Sequence, residues 1–313
     1  MIKNKNLLTG KFGGYLALCI TCFVWGTTWV ASKIGIAHIP ALQMASIRQF
    51  LGGTCFIVFF MVYKKLPFPN KKQFGKLIIM ALLMFVFANG LSTWSLKYIP
   101  TGLSALVGAL YPLSVVIIEM IYFKNRNVTI LTFIGLFVGL TGIAIVFYQA
   151  LFQQHSPEFL FGVFLSIIAM LSWSFGSLIL TRSTLQMNPY YAIGWQMLLS
   201  SVLLFIFASF TGQAIAMHAI TAEAWWAIIY LVLAGSILSF VAFIYSMKKL
   251  PAAIASMYAY INPLVAMVVA AIVLKEKLTI FILWGSIVTL FGVFLVNYSI
   301  KRNPKNIIAE PEQ

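Results

Sequence analysis

The chain has 313 residues, of which 62% are hydrophobic and only 9% are charged. A soluble domain of this size carries about 25% charged residues, so the composition excludes a water-exposed globular fold and indicates a polytopic membrane protein. The 21 Lys and Arg residues outnumber the six acidic residues and give a net charge of +15. These cations lie in short clusters between long apolar runs, which excludes a soluble nucleic-acid-binding domain.

Ten stretches of the chain are long and apolar enough to cross a bilayer, for which a helix needs about 20 residues. The connectors between them are short, and the first stretch lacks a convincing signal-peptide cleavage site, so we predict a retained helix there. The sequence therefore predicts an all-α integral membrane protein with ten transmembrane helices, at 13–36, 41–63, 75–96, 101–123, 128–148, 159–181, 189–211, 222–246, 251–274 and 279–299.

The distribution of cations predicts the orientation of the chain. Most of the Lys and Arg residues fall on the same side as the N-terminus, including the pairs Lys64-Lys65, Lys71-Lys72 and Lys248-Lys249. Because cytoplasmic segments of membrane proteins are enriched in Lys and Arg, we expect both termini in the cytoplasm. Residues 301–313 are then a polar cytoplasmic tail. The absence of sorting signals favours the inner membrane of a bacterium.

Residue types that commonly bind metals or carry out catalysis form no recognisable pattern. Cys19, Cys22 and Cys55 all lie inside apolar runs, and the three histidines lack partners at metal-ligand spacing. The chain contains no Walker A loop, no HExxH motif and no GxSxG nucleophile elbow. We therefore predict no metal, no cofactor and no enzymatic activity, and we exclude an ATP-driven pump.

The two halves of the chain are similar to each other. The segment YIPTGLSALVGALYPLSVV near Tyr98 aligns with KLPAAIASMYAYINPLVAM near Lys249, so that Pro112 pairs with Pro263. Five helices per repeat is an odd number, so the second repeat must be inverted in the membrane. We predict repeats at 1–150 and 151–300 around a central cavity, an architecture that is common among secondary transporters.

Other matched positions extend the repeat to its ends. Trp25 aligns with Trp173, and Arg48 aligns with Gln196. Gly135 and Gly142 lie one heptad apart on one helix face, as do their counterparts at 285 and 292. Because small residues allow helices to approach closely, we predict that these glycines pack within the scaffold or at a dimer contact. The sequence leaves a monomer and a homodimer equally open.

Taken together, these features resemble the drug/metabolite transporter superfamily, specifically its EamA-type permeases, over about residues 13–299. The motifs are Trp25-Gly26-Thr27-Thr28-Trp29, Arg48, the two Pro-led fourth and ninth spans, and Lys275-Glu276-Lys277. The resemblance implies a transporter, often an exporter of amino acids or related metabolites, that does not hydrolyse ATP. Family members often carry a Glu after the fourth span as well. Here that stretch reads FKNR, and Glu119 precedes it.

Arg48 and Glu119 are the ionisable residues placed deepest in the predicted spans. A charged side chain inside the bilayer costs about 2.5–3.5 kcal/mol on insertion scales, so it usually faces the bundle interior and has a partner. We hypothesise that both residues face the central cavity, and that one of them contacts substrate or titrates, which would allow proton coupling. The alternatives are that Glu119 extends to the nearby membrane surface and that Arg48 bonds carbonyls at a helix end.

Aromatic and amide side chains inside the spans are the remaining candidates for a substrate cavity, which is usually apolar with a few polar groups. Pro112 and Pro263 are predicted hinges, because a proline removes a backbone hydrogen bond that a cavity can leave open. The other candidate cavity residues are Trp25, Asn89, Trp94, Tyr111, Trp173, Trp195, Gln196, Tyr245, Tyr258 and Asn262.

The residues and the family resemblance together predict a secondary transporter of small metabolites, amino acids first, that works by alternating access. The resemblance implies export, and proton coupling and uniport stay equally open. A carrier of nucleotide sugars or sugar phosphates, or of drugs, is the alternative within transporters. A sugar-phosphate carrier needs several cavity cations, and only Arg48 and Lys33 could serve. Outside that class, a channel, a receptor and an intramembrane enzyme stay open. The expected partners are a small solute and the lipid bilayer, without nucleic acid.

Overall fold

The structure is a computed structural model that describes residues 2–122, 129–152, 157–182, 185–250, 252–255 and 257–302. These residues form an all-helical bundle without any strand. The segment at 123–128, where the family pattern has a second Glu, lies outside the described residues, as does the predicted tail from 303 onward.

Ten helices follow the ten predicted spans. Eight of them contain an apolar stretch of full membrane length, and α5 and α9 contain shorter ones, Ile130–Val146 and Tyr258–Val273. A single short turn, Ala252–Ala255, precedes α9. The bounds are α1 Ile2–Ile36, α2 Ala41–Tyr63, α3 Lys71–Ser95, α4 Thr101–Ile121, α5 Ile130–Phe152, α6 Pro157–Arg182, α7 Pro189–Phe210, α8 Ala222–Lys249, α9 Tyr258–Val273 and α10 Ile280–Arg302.

Helix starts follow local sequence signals. Asn70 and Gln73 form a reciprocal capping box before α3, with both hydrogen bonds at 2.9 Å. Asn188 caps α7, whose first residue is Pro189, and the missing N–H of a proline costs nothing at that position. Between their ends the helices are largely apolar on all sides, as expected for helices that contact either lipid or other helices.

Because the number of helices is even, α1 begins and α10 ends on one side of the bundle, which we call the terminal side. The contacts between helix ends agree with this alternation. On the opposite side, Lys33 at the end of α1 reaches the carbonyl oxygen of Leu96 at the end of α3. On the terminal side, the ends of α4 and α6 meet where Arg182 pairs with Glu119.

The two repeats pack as an inverted pair. The second helices of the repeats, α2 and α7, contact each other extensively, and so do the fifth helices, α5 and α10. The first helix of each repeat crosses to the other repeat: α1 packs against α8 and α9, and α6 packs against α3 and α4. This reciprocal arrangement is expected when two similar halves are related by an axis in the membrane plane.

Glycines set the close contacts between the paired helices. A Cβ at Gly142 would collide with the backbone of Thr289 and lie 2.7 Å from the carbonyl oxygen of Gly285. In the other pair, a Cβ at Gly53 would lie 2.8 Å from the carbonyl oxygen of Gly194. The predicted glycine faces therefore pack against each other between the repeats, which leaves them unavailable for a dimer contact.

Widened helical segments were not predicted; besides a short one at the end of α2, Phe59–Tyr63, two lie in the middle of helices. The middle of α3, Ala81–Gly90, and the middle of α8, Leu231–Leu238, have π-type backbone hydrogen bonding. They occupy matching positions in the two repeats. A π-helical turn often marks a functional site, because it shifts carbonyl groups out of the regular helical ladder.

We predict that Gly142→Ala destabilises the protein by about 1–3 kcal/mol, because the added methyl group would press the backbones of α5 and α10 apart. Thermal unfolding in detergent measures the change as a lower melting temperature. The matched control is Gly75→Ala in α3, where nothing lies within 4 Å of the new Cβ. Equal melting temperatures for the two variants would contradict the packing role.

Candidate functional site

A central cavity of about 200 Å³ lies between α1, α2, α3, α4, α6, α8 and α9. The paired helices α5 and α10, and α7, do not contribute to its lining. The predicted site residues that line it are Trp25, Arg48, Asn89, Tyr111, Trp173, Tyr258, Asn262 and Pro263.

The lining divides into a polar half and an aromatic half. The half nearer the opposite side has small hydroxyl and amide groups, which are Thr28, Ser32, Gln49, Asn89, Ser92, Thr93, Ser104 and Ser166. The half nearer the terminal side has large rings, which are Trp25, Phe85, Tyr111, Trp173, Phe240 and Tyr258. The cavity therefore suits a solute with one polar end and one apolar end.

Arg48 is the one cation among the cavity-lining residues that the structure describes. It lies about 10 Å below the start of α2, and only 7% of its surface is exposed. Its Nε donates to Ser236 Oγ at 3.1 Å, from the widened segment of α8. No described carboxylate pairs with its guanidinium, so a buried positive charge faces the cavity with most of its donors unused.

Hydrogen bonds between helices hold the other polar side chains of the lining. Gln49 Nε2 donates to Asn89 Oδ1 at 2.9 Å, which links α2 to α3. Trp29 Nε1 donates to Asn262 Oδ1 at 3.0 Å, which links α1 to α9. Gln49 Oε1 is buried and has no protein partner. These bonds fix the positions of the amide side chains in the cavity wall.

The aromatic half is a packed cluster of rings. Trp25 lies 5.4 Å from Phe240 and 5.4 Å from Tyr258, measured between ring centroids, in edge-on arrangements. Trp25 Nε1 donates to the carbonyl oxygen of Gly235 at 3.1 Å, in the widened segment of α8. Because its indole is held on three sides, Trp25 forms a rigid wall of the cavity.

The two predicted hinge prolines change the backbone hydrogen bonding of the helical turn that precedes each of them. Pro112 lies at the start of the second half of α4, after a break at 109–110, and Pro263 lies inside α9. Without an N–H, they cannot donate to the carbonyls four residues earlier, those of Gly108 and Ala259. Both of these residues line the cavity, so the prolines leave backbone acceptors at its wall.

The hypothesis that Glu119 faces the cavity with Arg48 needs correction. Glu119 is fully buried near the terminal end of α4, and its Oε1 lies 2.5 Å from Nη2 of Arg182 on α6. Neither residue lines the cavity. The pair forms because α6 crosses α4 there, a packing between elements distant in the chain. Reasoning from span position identified a buried carboxylate but assigned it the wrong arginine.

Four other predicted residues also lie away from the cavity lining. Trp94 packs between Phe161 and Phe207, and Trp195 packs against Phe68 at 4.7 Å between ring centroids. Gln196 is buried on α7, which faces α2. Tyr245 is partly exposed, with its hydroxyl beside Gly13. Repeat matching or position within a span selected these residues, but neither determines which face of a helix meets the cavity.

Residues that sequence reasoning missed include Gln49, Trp29 and Ser236. Gln49 follows Arg48 directly, and its polar side chain inside a span was a usable signal. Trp29 belongs to the first-span motif, yet its hydrogen bond to Asn262 depends on the crossing of α1 and α9. Ser236 gives no signal in the sequence, because serine is common in helices that pack closely.

Polar contacts link the helix ends next to the cavity on the opposite side. Lys33 Nζ reaches the carbonyl oxygens of Leu96 and Ile99. Glu276, in the connection after α9, accepts from the backbone N–H of Thr101 at 2.9 Å and from its hydroxyl at 2.7 Å. A carboxylate at a helix N-terminus is favourable, so both charges fasten α1 and α9 to the corner between α3 and α4.

Comparison with known proteins agrees with this architecture. The model of the EamA-like transporter family matches residues 12–148 and again residues 160–298. The chain belongs to the EamA-like transporter family. It is a multi-pass membrane transporter built from two copies of the family's repeat.

Relatives of this EamA-like transporter span nearly the same length. "Uncharacterized transporter YoaV" of Bacillus subtilis (strain 168) is 26% identical over 92% of this chain and 97% of its own. "Uncharacterized inner membrane transporter YedA" of Escherichia coli (strain K12) is 30% identical over 82% of this chain and 80% of its own. A solved crystal structure has the same fold with a TM-score of 0.63 at 14% identity, and the match covers 92% of this chain and 97% of that chain.

We predict that Glu276→Gln opens the cavity to the opposite side, because the loss of charge weakens the hold on the start of α4. The reporter is Ser32→Cys, a cavity position, in a background with Cys19, Cys22 and Cys55 replaced by Ala. A membrane-impermeant maleimide, applied to the opposite side in oriented vesicles, should label the cysteine several-fold faster.

The matched control for this experiment is Glu223→Gln, a carboxylate exposed on the same side at the start of α8. That variant should label at the parent rate. If Glu276→Gln labels no faster than the control, Glu276 does not keep the cavity closed.

Proposed function

We propose that this protein is a secondary transporter that exports small metabolites, such as amino acids, by alternating access. The observation that carries the proposal is the buried guanidinium of Arg48, which has no carboxylate partner among the described residues and faces a mid-membrane cavity. Its planar fork of donors matches a carboxylate, the group that all amino acids share.

The inverted packing of the repeats supports alternating access. The glycine-mediated pairs α2/α7 and α5/α10 hold the repeats together, and the cavity lies mainly among the other helices. We infer that these contacts of Lys33 and Glu276 close the cavity on the opposite side in one of its two conformations. Rocking of the halves would exchange this closure for one on the terminal side, as in other transporters built from inverted repeats.

The proposed orientation follows from the distribution of cations, and export is proposed because the family resemblance implies it. The Lys and Arg clusters between helices lie mostly on the terminal side, which the positive-inside rule assigns to the cytoplasm. We place the protein in the bacterial inner membrane, with both termini cytoplasmic and loading from the terminal side. The two relatives come from bacteria, and one has "inner membrane" in its name.

The charge of the residues that line the cavity disfavours the alternative substrate classes. A sugar phosphate or nucleotide sugar brings at least two negative charges, whereas the described lining supplies one cation. A cationic drug would meet the positive charge of Arg48 and no carboxylate. A carboxylate-bearing metabolite is the class that the single arginine matches best.

We predict that purified protein in proteoliposomes, preloaded with unlabelled neutral amino acids, transiently accumulates a labelled trace of the same compounds. Arg48→Ala should reduce this counterflow about 10- to 100-fold, because a hydrogen bond to a charged group contributes about 1.5–3 kcal/mol. The control is Arg302→Gln, an exposed arginine at the end of α10. Saturable counterflow distinguishes a carrier from a channel or receptor.

Two outcomes of this experiment would argue against the proposal. Uptake that does not saturate and shows no counterflow would indicate a channel. Full activity in Arg48→Ala, with unchanged melting temperature, would remove Arg48 from the binding site.

Proton coupling through Glu119 is a separate part of the proposal. We predict that Glu119→Gln keeps counterflow, which needs no driving force, because the residue lies away from the cavity lining. If Glu119 carries the proton, the same variant loses uphill transport driven by a pH gradient. The control is Glu158→Gln in the first turn of α6. Unchanged gradient-driven transport would assign Glu119 to the ion pair with Arg182 alone.

A further inference from the structure

The acidic residues that the structure describes all lie outside the cavity lining. The sequence has six acidic residues, all of them Glu. Glu119 pairs with Arg182, and Glu276 holds the start of α4. Glu158 and Glu223 lie in the first turns of α6 and α8, at the opposite side. The remaining two are at 310 and 312, outside the described residues.

The empty cavity therefore carries one uncompensated positive charge. Arg48 is 7% exposed, and its one described hydrogen-bond partner is the neutral hydroxyl of Ser236. An isolated charge removed from water is costly, and the cost falls when an ion of opposite sign enters. The cavity thus selects its contents by charge as well as by shape.

Three classes of ligand that share an apolar body differ in the net charge of the cavity once they are bound. A monoanionic carboxylate neutralises Arg48 and leaves the loaded cavity without net charge. A zwitterionic amino acid supplies the same carboxylate but also buries an ammonium group without a carboxylate to pair with it. An amine without a carboxylate places a second positive charge beside the first, which is the least favourable case.

Neutral groups are what the described lining offers an ammonium. They are the hydroxyl groups of the polar half, the backbone of Gly108 and Ala259, which lack the hydrogen bond that a proline four residues later cannot donate, and the faces of the aromatic rings. A neutral acceptor contributes less than an ion pair in a site of low dielectric constant. A cation–π contact of the ammonium group with Trp25 or Trp173 would occupy the ring surface that the apolar part of the same solute also needs.

The division of the cavity sets the orientation of the solute. Arg48 and Gln49 lie at the border of the polar half, and the rings of Trp25, Tyr111, Trp173 and Tyr258 lie toward the terminal side. A carboxylate bound to Arg48 would direct an apolar body into this aromatic half, where ring-on-ring contacts add about 0.5–1.5 kcal/mol each.

We propose that the cavity recognises apolar or aromatic monocarboxylates, and that an α-amino group is dispensable for binding. The proposal rests on the transport function proposed above and narrows its substrate class. It places amino acids among the substrates because of their carboxylate. Their ammonium group lowers the binding affinity. Arg48 is the residue that determines this specificity.

The test compares three probes with the same phenyl-ethyl body: 3-phenylpropanoate, phenylalanine and 2-phenylethylamine. Binding to the full-length protein in nanodiscs is measured by calorimetry, since neutral 3-phenylpropanoic acid crosses bilayers and would obscure a flux assay. We expect 3-phenylpropanoate to bind about tenfold more tightly than phenylalanine, and 2-phenylethylamine to show no binding. Arg48→Gln should abolish the preference for the carboxylates, and Arg302→Gln should preserve it.

The outcomes separate this inference from the proposed function. Tighter binding of phenylalanine than of 3-phenylpropanoate, with normal counterflow of phenylalanine, would overturn the inference and leave the transport function intact. Binding of 2-phenylethylamine would also overturn it. Absence of counterflow with amino acids, together with no binding of any of the three probes, would overturn both proposals.

Discussion

The structure depends on the burial of one guanidinium group inside an apolar bundle. Arg48 has a single neutral partner among the described residues, Ser236, and it lies well below the membrane surface. Such a charge costs several kcal/mol unless polar groups or water surround it. The amides of Gln49 and Asn89 and the hydroxyls of the polar half provide that environment. The polar half of the cavity therefore stabilises the buried guanidinium.

Helices that line the cavity can be irregular because other helices hold the bundle together. In α5/α10 and α2/α7, glycines bring backbones into direct contact, and those contacts are regular and tightly packed. By contrast, α3 and α8 are widened in the middle, α4 is broken, and α9 contains Pro263. Irregular backbone inside a membrane is tolerated where it borders a cavity or other protein. Most of the irregular backbone thus borders the cavity, whereas α2 belongs both to a glycine-mediated pair and to the cavity lining, to which it contributes Arg48 and Gln49.

Much of the fold could be predicted from the sequence, because hydrophobic length and repeat spacing are one-dimensional signals. The ten spans, the inversion of the repeats and the glycine faces all come from such signals, and all were confirmed in the structure. Which side chains pair depends on where helices that are distant in the chain cross. No local sequence pattern records those crossings. For that reason Glu119 was assigned to Arg48, whereas it pairs with Arg182, and the roles of Ser236 and Glu276 were missed.

The charged residues break the symmetry that the backbone keeps. Arg48 aligns with Gln196, yet Arg48 faces the cavity and Gln196 is buried on α7, outside the lining. Glu276 fastens the opposite side, and its counterpart region at 123–128 has no Glu in the sequence. A symmetric scaffold lets the two halves exchange conformations at low cost. A second set of charges at the positions matching Lys33 and Glu276 would fasten both sides of the bundle equally. Single charges on an otherwise repeated frame therefore give one buried cation at the cavity and one fastened side.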